Sequence, residues 1–189
     1  MTINSPKPIT GKRALFFDRD GVLNDTVDRG DNFFVLEKKV RWTAPFYYNE
    51  FHLKPGVAEM LETVGKLGFL RILATNQPDI TYGTMPPEEH ERIMAEVNKL
   101  PLDDIYICTH GRHDGCVCKK PLPGMLLTAA EKWGIDLASS YMIGDTKGDT
   151  EAAKAAGCVS ILLDDGRNGA IPADRRAAKF DDIIRLIQE

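Results

Sequence analysis

Asp18 and Asp20 stand one residue apart, directly after the apolar run Ala14-Leu15-Phe16-Phe17 and directly before Gly21. Crowded carboxylates repel unless a cation or a proton-transfer duty offsets the cost. An apolar run ending in acids predicts a buried strand of a parallel sheet. In open α/β sheets, ligands bind at the carboxyl end of such strands. Alternation along an extended chain would point Asp18 and Asp20 the same way and Arg19 the other. Taken alone, the pair would also suit a solvated Asp-rich turn closed by Gly21. Three later segments favour chemistry.

Thr75-Asn76-Gln77 follows a second apolar run, Phe69 to Ala74. Lys119-Lys120 comes soon after a third, Ile105 to Cys108. Asp145 and Asp149 follow a fourth, Tyr141 to Ile143. An acid pair, a hydroxyl, a lysine and a second acid cluster are what phosphoryl transfer through an aspartyl phosphate needs. A carboxylate approaching a phosphate meets repulsion of about 4 kcal/mol per unit-charge pair at 4 Å in a dielectric near 20. Mg²⁺ held by Asp18, Asp145 and a backbone carbonyl would cancel it. Lys120 adds a point charge, and the Thr75 hydroxyl a directional hydrogen bond.

Asp18-Arg19-Asp20-Gly21-Val22-Leu23-Asn24, Thr75-Asn76-Gln77, Lys120-Pro121 and Gly144-Asp145-x-x-x-Asp149 resemble, in order, the four motifs of haloacid dehalogenase (HAD) superfamily phosphatases. The resemblance spans about residues 13 to 163. It implies that Asp18 is the nucleophile and that Asp20 is both general acid and general base. It further implies that the Asp20 carbonyl and Asp145 complete the Mg²⁺ site and that Thr75 and Asn76 bind phosphoryl oxygens, with Asn24 beside the substrate. Asp149 has open roles: orienting Lys120, holding a metal-bound water, or serving only as a helix N-terminal acid.

Cys108-x-His110, five residues, then Cys116-x-Cys118 offers three thiolates and an imidazole, suited to tetrahedral zinc. All four positions are protein, so the predicted zinc loop (108–118) is structural and pins Lys119-Lys120-Pro121. His113 is the competing imidazole, and Cys158 is expected to be a small buried hydrophobe. This loop with Lys120-Pro121-x-Pro123-Gly124-Met125 resembles the HAD branch that holds heptose bisphosphate and histidinol-phosphate phosphatases, which lack a large cap domain. The resemblance implies a small sugar phosphate as substrate, with histidinol phosphate or a nucleic-acid end as alternatives. Where that branch commonly carries an arginine that contacts substrate, this chain has Lys119, which keeps charge without the bidentate fork. After Thr75-Asn76-Gln77, Pro78-Asp79-Ile80 replaces the usual Ser-Gly-Ile turn.

These groups need a scaffold. Strands at 13–17, 69–74, 105–108, 141–143 and 159–163 alternate with helices at about 57–66, 86–97, 123–133, 150–156 and 181–187. That pattern predicts a single three-layer Rossmann-like α/β domain over 13–189 with a parallel sheet. A flexible tail is expected over 1–12. The insertion 25–53 holds seven of the fifteen aromatics, with Arg29, Lys38, Lys39 and Arg41. A loop this long in a small domain reads as a flap over substrate, a hairpin packed on the sheet edge, or a subunit contact, leaving monomer or homodimer open.

Net charge −4 and a sequence pI near 5.6 offer no field for a nucleic-acid backbone. The chain has no membrane-length apolar stretch, and cytoplasmic location is expected. A phosphate-storing receiver would lack a general acid two residues beyond its acceptor. A zinc-based partner module would have no use for the acids.

Overall fold

The computed structural model describes residues 11–189. Alternating burial organises the chain around strand β1 (Arg13–Phe17), whose last four residues are wholly buried. Leu15 and Phe17 point to one face of the sheet, Ala14 and Phe16 to the other. The insertion follows, with short strands β2 (Val27–Asp28), β3 (Phe34–Val35), β4 (Lys38–Lys39) and β5 (Trp42–Thr43). Next come α1 (Val57–Lys66), β6 (Phe69–Asn76), the one-turn helix α2 (Asp79–Tyr82), α3 (Pro87–Val97) and β7 (Asp104–Cys108). The chain ends with α4 (Gly124–Trp133), β8 (Tyr141–Gly144), α5 (Lys147–Ala156), β9 (Val159–Leu163), β10 (Arg175–Ala177) and α6 (Phe180–Leu186).

Six strands form one parallel sheet in the order β10-β9-β8-β1-β6-β7. Helices α1, α3 and α6 pack on the Leu15/Phe17 face, and α4 and α5 on the Ala14/Phe16 face. This is the predicted three-layer α/β architecture. From β1 the chain winds outward through β6 and β7, then crosses back to β8 on the other flank. Loops leaving β1 and β8 therefore diverge, opening a crevice at the carboxyl edge.

The sheet gains a strand that the apolar runs do not announce. β10 is a three-residue edge strand reading Arg-Arg-Ala, with only Ala177 buried. Helix α5 starts three residues before the predicted 150, because Thr146 and Asp149 form a capping box. Residues 1–10 of the expected tail lie outside the described residues. Lys12 bridges Ile135 and exchanges backbone hydrogen bonds with Gly134 and Asp136.

The insertion makes two small antiparallel pairs, β2·β5 and β3·β4. Its base is internally tied. Arg29 lies over the Phe46 ring at 4.3 Å and donates to both Glu50 oxygens at 2.6 and 2.7 Å. Tyr48 docks on α3, donating through its backbone N–H to Glu89 and through its hydroxyl to Glu96. Phe46 and Phe51 are buried, whereas Phe34, Leu36 and Trp42 are exposed. No helix among the described residues is long and apolar enough to cross a membrane.

Candidate active site

The sheet's carboxyl edge brings the four motifs together. Backbone pairing with β8, Asp18 N–H to Ile143 C=O at 2.9 Å, carries the extended chain one residue past β1 and fixes the Asp18 position. Lys120 Nζ reaches Asp18 Oδ1 at 2.9 Å and Asp149 Oδ1 at 2.5 Å, with the lysine side chain almost wholly buried. The other Asp149 oxygen accepts from the Thr146 N–H at 3.0 Å and its hydroxyl at 2.5 Å. Asp149 is thus both a helix N-terminal acid and the group that orients Lys120.

Asp145 comes from the β8 loop. Its approach to the β1 turn requires glycine at 21: a Cβ there would lie 2.1 Å from Asp145 Oδ2, and φ is +85°. Asn168 holds the Asp145 carbonyl from behind at 2.9 Å. Oxygens of Asp18, Asp145 and Asp149 lie within 4.8 Å of one another. Burial, with the charges of Asp18 and Asp149, pushes the Asp145 carboxyl up to about 8. Burial likewise pushes Asp18 up to about 6 against the pull of Lys120. Lys120 is pushed down by burial, but the carboxylates of Asp149 and Asp18 outweigh this and hold it above the usual lysine range.

The donor set fits a hard divalent cation. Asp145 Oδ1 is buried and finds no hydrogen-bond partner among the described residues. Such an orphan acceptor is costly unless a ligand meets it. Oxygen donors from few carboxylates are what Mg²⁺ favours. Since both Asp149 oxygens already have partners, Asp18 and Asp145 are the carboxylates with capacity to spare.

Other expected site residues fall differently. Asn76 lines the cleft, but its side-chain amide is already engaged. It clamps the Lys120 peptide, Oδ1 accepting from Lys120 N–H and Nδ2 donating to Lys120 C=O, each at 3.0 Å. Asn24 is fully buried and donates to Asp20 Oδ1 at 3.0 Å, so it supports the acid rather than touching substrate. Thr75 is fully buried, its Oγ1 accepting from Gln77 Nε2 at 3.0 Å. Arg19 does not turn away from Asp20. The strand ends at Phe17, alternation lapses, and the guanidinium folds back onto the Asp20 carboxylate. Sequence reasoning passed over Arg19, Gln77 and Asn168. An arginine inside an acid pair was the one available signal.

Asp18, Asp20 and Asp145 open into a cavity of about 600 Å³. The flap contributes Val35, Lys38 and Trp42 to its wall, and the zinc-loop side contributes Arg112 and Lys119. Lys119 Nζ also donates to the His110 carbonyl at 2.8 Å.

Cys108, His110, Cys116 and Cys118 converge as predicted, with His113 outside the group. Sγ of Cys108 lies 3.8 Å from Cys116 and 3.2 Å from Cys118, and His110 Nδ1 lies 3.2 Å from Cys118 Sγ. Four ligands about a tetrahedral zinc with Zn–S near 2.3 Å would sit about 3.8 Å apart, so a small expansion suits the set. Cys158, just before β9, is buried in the apolar cluster on the Ala14/Phe16 face, as expected of a small hydrophobe.

Comparison with known proteins agrees with this geometry. The HAD-hydrolase-like family model matches residues 117–189. D-glycero-beta-D-manno-heptose-1,7-bisphosphate 7-phosphatase of Helicobacter pylori is 33% identical over 162 residues, 82% of this chain and 84% of its own. The enzyme of that name from Pseudomonas putida is 33% identical over 94% of this chain and 98% of its own. The crystal structure of D,D-heptose 1,7-bisphosphate phosphatase from B. bronchiseptica, complexed with magnesium and phosphate, superposes with a TM-score of 0.75. It is 26% identical and covers 93% of this chain and 98% of its own. The chain belongs to the HAD-like phosphatases, in the family of the D-glycero-beta-D-manno-heptose-1,7-bisphosphate 7-phosphatases.

Proposed function

We propose that this enzyme removes one phosphate from a small sugar bisphosphate of the heptose 1,7-bisphosphate type, through a phospho-Asp18 intermediate. The observation that carries the reading is the single buried Lys120 bridging Asp18 and Asp149, with the unpartnered Asp145 oxygen alongside. Asp18 attacks phosphorus, and Asp20 protonates the departing ester oxygen. Asp20 then takes a proton from the water that cleaves the acyl phosphate, so one group serves both half-reactions. Lys120 offsets the negative charge gathering at the nucleophile. Thr75 accepts from Gln77, which leaves its hydroxyl proton to donate to a phosphoryl oxygen. Mg²⁺ held by Asp18, Asp145 and the Asp20 carbonyl would supply charge cancellation between nucleophile and phosphate.

A second cationic region supports a bisphosphate. Lys38, Arg112 and Lys119 line the cavity beyond the nucleophile and suit a phosphate at the far end of the substrate. We also place the enzyme in the cytoplasm, where thiols stay free to hold a metal. The test is phosphate release with Mg²⁺ from heptose and other sugar phosphates, histidinol phosphate and a duplex oligonucleotide with a terminal phosphate. The highest kcat/KM is expected on the heptose bisphosphate. A preference for the oligonucleotide, or undiminished turnover by Asp18→Asn, would sink the reading.

A further inference from the structure

Arg19 has no role in the chemistry so far, and Gln77 only its hydrogen bond to Thr75. Both are fully buried, and a buried guanidinium persists only where acceptors meet its donors. Arg19 Nε lies 3.1 Å from Asp20 Oδ1, and Nη2 lies 3.0 Å from each Asp20 oxygen and 2.8 Å from Gln77 Oε1. Gln77 Nε2 donates to Asp20 Oδ2 at 2.7 Å and to Thr75 Oγ1 at 3.0 Å. The Asp20 carboxylate is thus gripped by its own neighbour and by a residue 57 positions later, beside the Asn24 amide already described.

Only one arrangement satisfies this set. Turning the Gln77 amide over would set its oxygen against the Asp20 carboxylate and its NH₂ against the guanidinium. The network therefore fixes the amide, and the amide links Asp20 to Thr75.

We propose that Arg19 and Gln77 are positioning residues that hold the Asp20 carboxyl in line with the ester oxygen and couple it to Thr75 at the phosphoryl end. The inference rests on the acid/base reading of Asp20 given above. Asp20 lies beyond the end of β1; an isolated bridge to Asn24 pairs its backbone, and Asn24 Nδ2 gives its side chain one neutral hydrogen bond. Proton transfer needs heavy atoms within about 2.6–3.2 Å. Charge-assisted hydrogen bonds from a forked donor supply the missing restraint. In the step at issue the Asp18–phosphorus bond forms, the phosphorus–ester oxygen bond breaks, and the proton passes from Asp20 to the departing oxygen.

The test separates positioning from mere support of the fold by varying the leaving group. A sugar alkoxide needs the proton to depart, whereas p-nitrophenolate departs almost without it. kcat/KM for a sugar phosphate and for p-nitrophenyl phosphate, both with Mg²⁺, reports events up to that bond cleavage. Gln77→Leu is expected to lower kcat/KM by roughly 10²-fold on the sugar ester and by less than about tenfold on the nitrophenyl ester. Arg19→Lys, which keeps charge and loses the fork, is expected to show the same preference at smaller size. Equal losses on both esters, or none, would overturn the proposal.

Asp20→Asn tells the two failures apart. If it spares the sugar ester, the acid/base reading itself falls. If it is selective while Gln77→Leu and Arg19→Lys are not, only the present inference falls. Should Gln77→Leu fail to fold, Gln77→Asn and Arg19→Lys carry the same comparison. Collapse of all three would mark a purely structural role and overturn the proposal.

Discussion

The carboxyl edge of the sheet and the flap over it are both rich in charge, yet they handle it in opposite ways. At the sheet edge Lys120 and Asp149 are paired with almost no access to water, and Asp18, largely buried, meets the same lysine at the floor of the cavity. In the outer flap, Arg41 meets Asp28 and Asp31 in full view of solvent. Buried pairs are rigid and are costly to break, because removing one partner strands the other in a low dielectric. Exposed pairs are screened and contribute little. The edge therefore holds reacting groups still, and the flap can shape a pocket wall without holding the fold together. The tied base of the flap, Arg29 with Glu50 and Phe46, marks the border between the two regimes.

The largest expected effect breaks the edge. Lys120→Met keeps the stem but leaves Asp18 and Asp149 without their shared cation, and should cost about 3–5 kcal/mol in urea unfolding while abolishing turnover. A loss well under 1 kcal/mol would mean the edge behaves like the flap.

The second effect is a pH dependence confined to the edge. A carboxyl whose folded pKa exceeds its unfolded value binds its proton more tightly in the folded chain. For Asp145, raised from 3.8 to about 8, the stabilisation is complete at acid pH and disappears as pH climbs through about 8. Asp18, raised to about 6, has the same sign. The metal-free protein should therefore lose thermal stability between pH 5 and pH 8, and Mg²⁺ should raise Tm more at pH 8 than at pH 5. Asp145→Asn should flatten much of this dependence; an unchanged slope in that variant would refute the assignment.

The smallest effects belong to the flap. Arg41→Ala should leave the urea midpoint where it was. Trp42 lines the cavity and stacks 3.9 Å from the Arg167 guanidinium. Trp42→Ala removes part of the cavity wall and frees the flap from a contact worth about 0.5–1 kcal/mol, so KM should rise by no more than roughly 2–5-fold, with kcat unchanged. A large fall in kcat would show that the flap takes part in the chemistry.

Much of the site was legible because apolar runs ending in acids, a hydroxyl or a glycine mark strand ends in any parallel sheet. Asp18, Asp145 and the Cys108/His110/Cys116/Cys118 set needed only residue type and spacing. β10 escaped because an edge strand of Arg175-Arg176-Ala177 buries one side chain and so has no apolar pattern. Arg19 escaped because period-two alternation stops where ladder pairing stops. Asn24 and Asn76 are polar residues inside recognised motifs, and such a motif says that a residue matters without saying what it touches.

Local patterning alone settled which side chains sit at the strand ends, since burial periodicity and turn chemistry act over a few residues. Which of them share a proton, a lysine or a peptide was decided by the crossover of the chain between β7 and β8. That crossover sets Asn76 against Lys120, 44 positions away, and Lys120 against Asp149, 29 positions further on. Hydrogen bonds are made or lost over tenths of an ångström, and only the packed sheet fixes distances that finely across such separations.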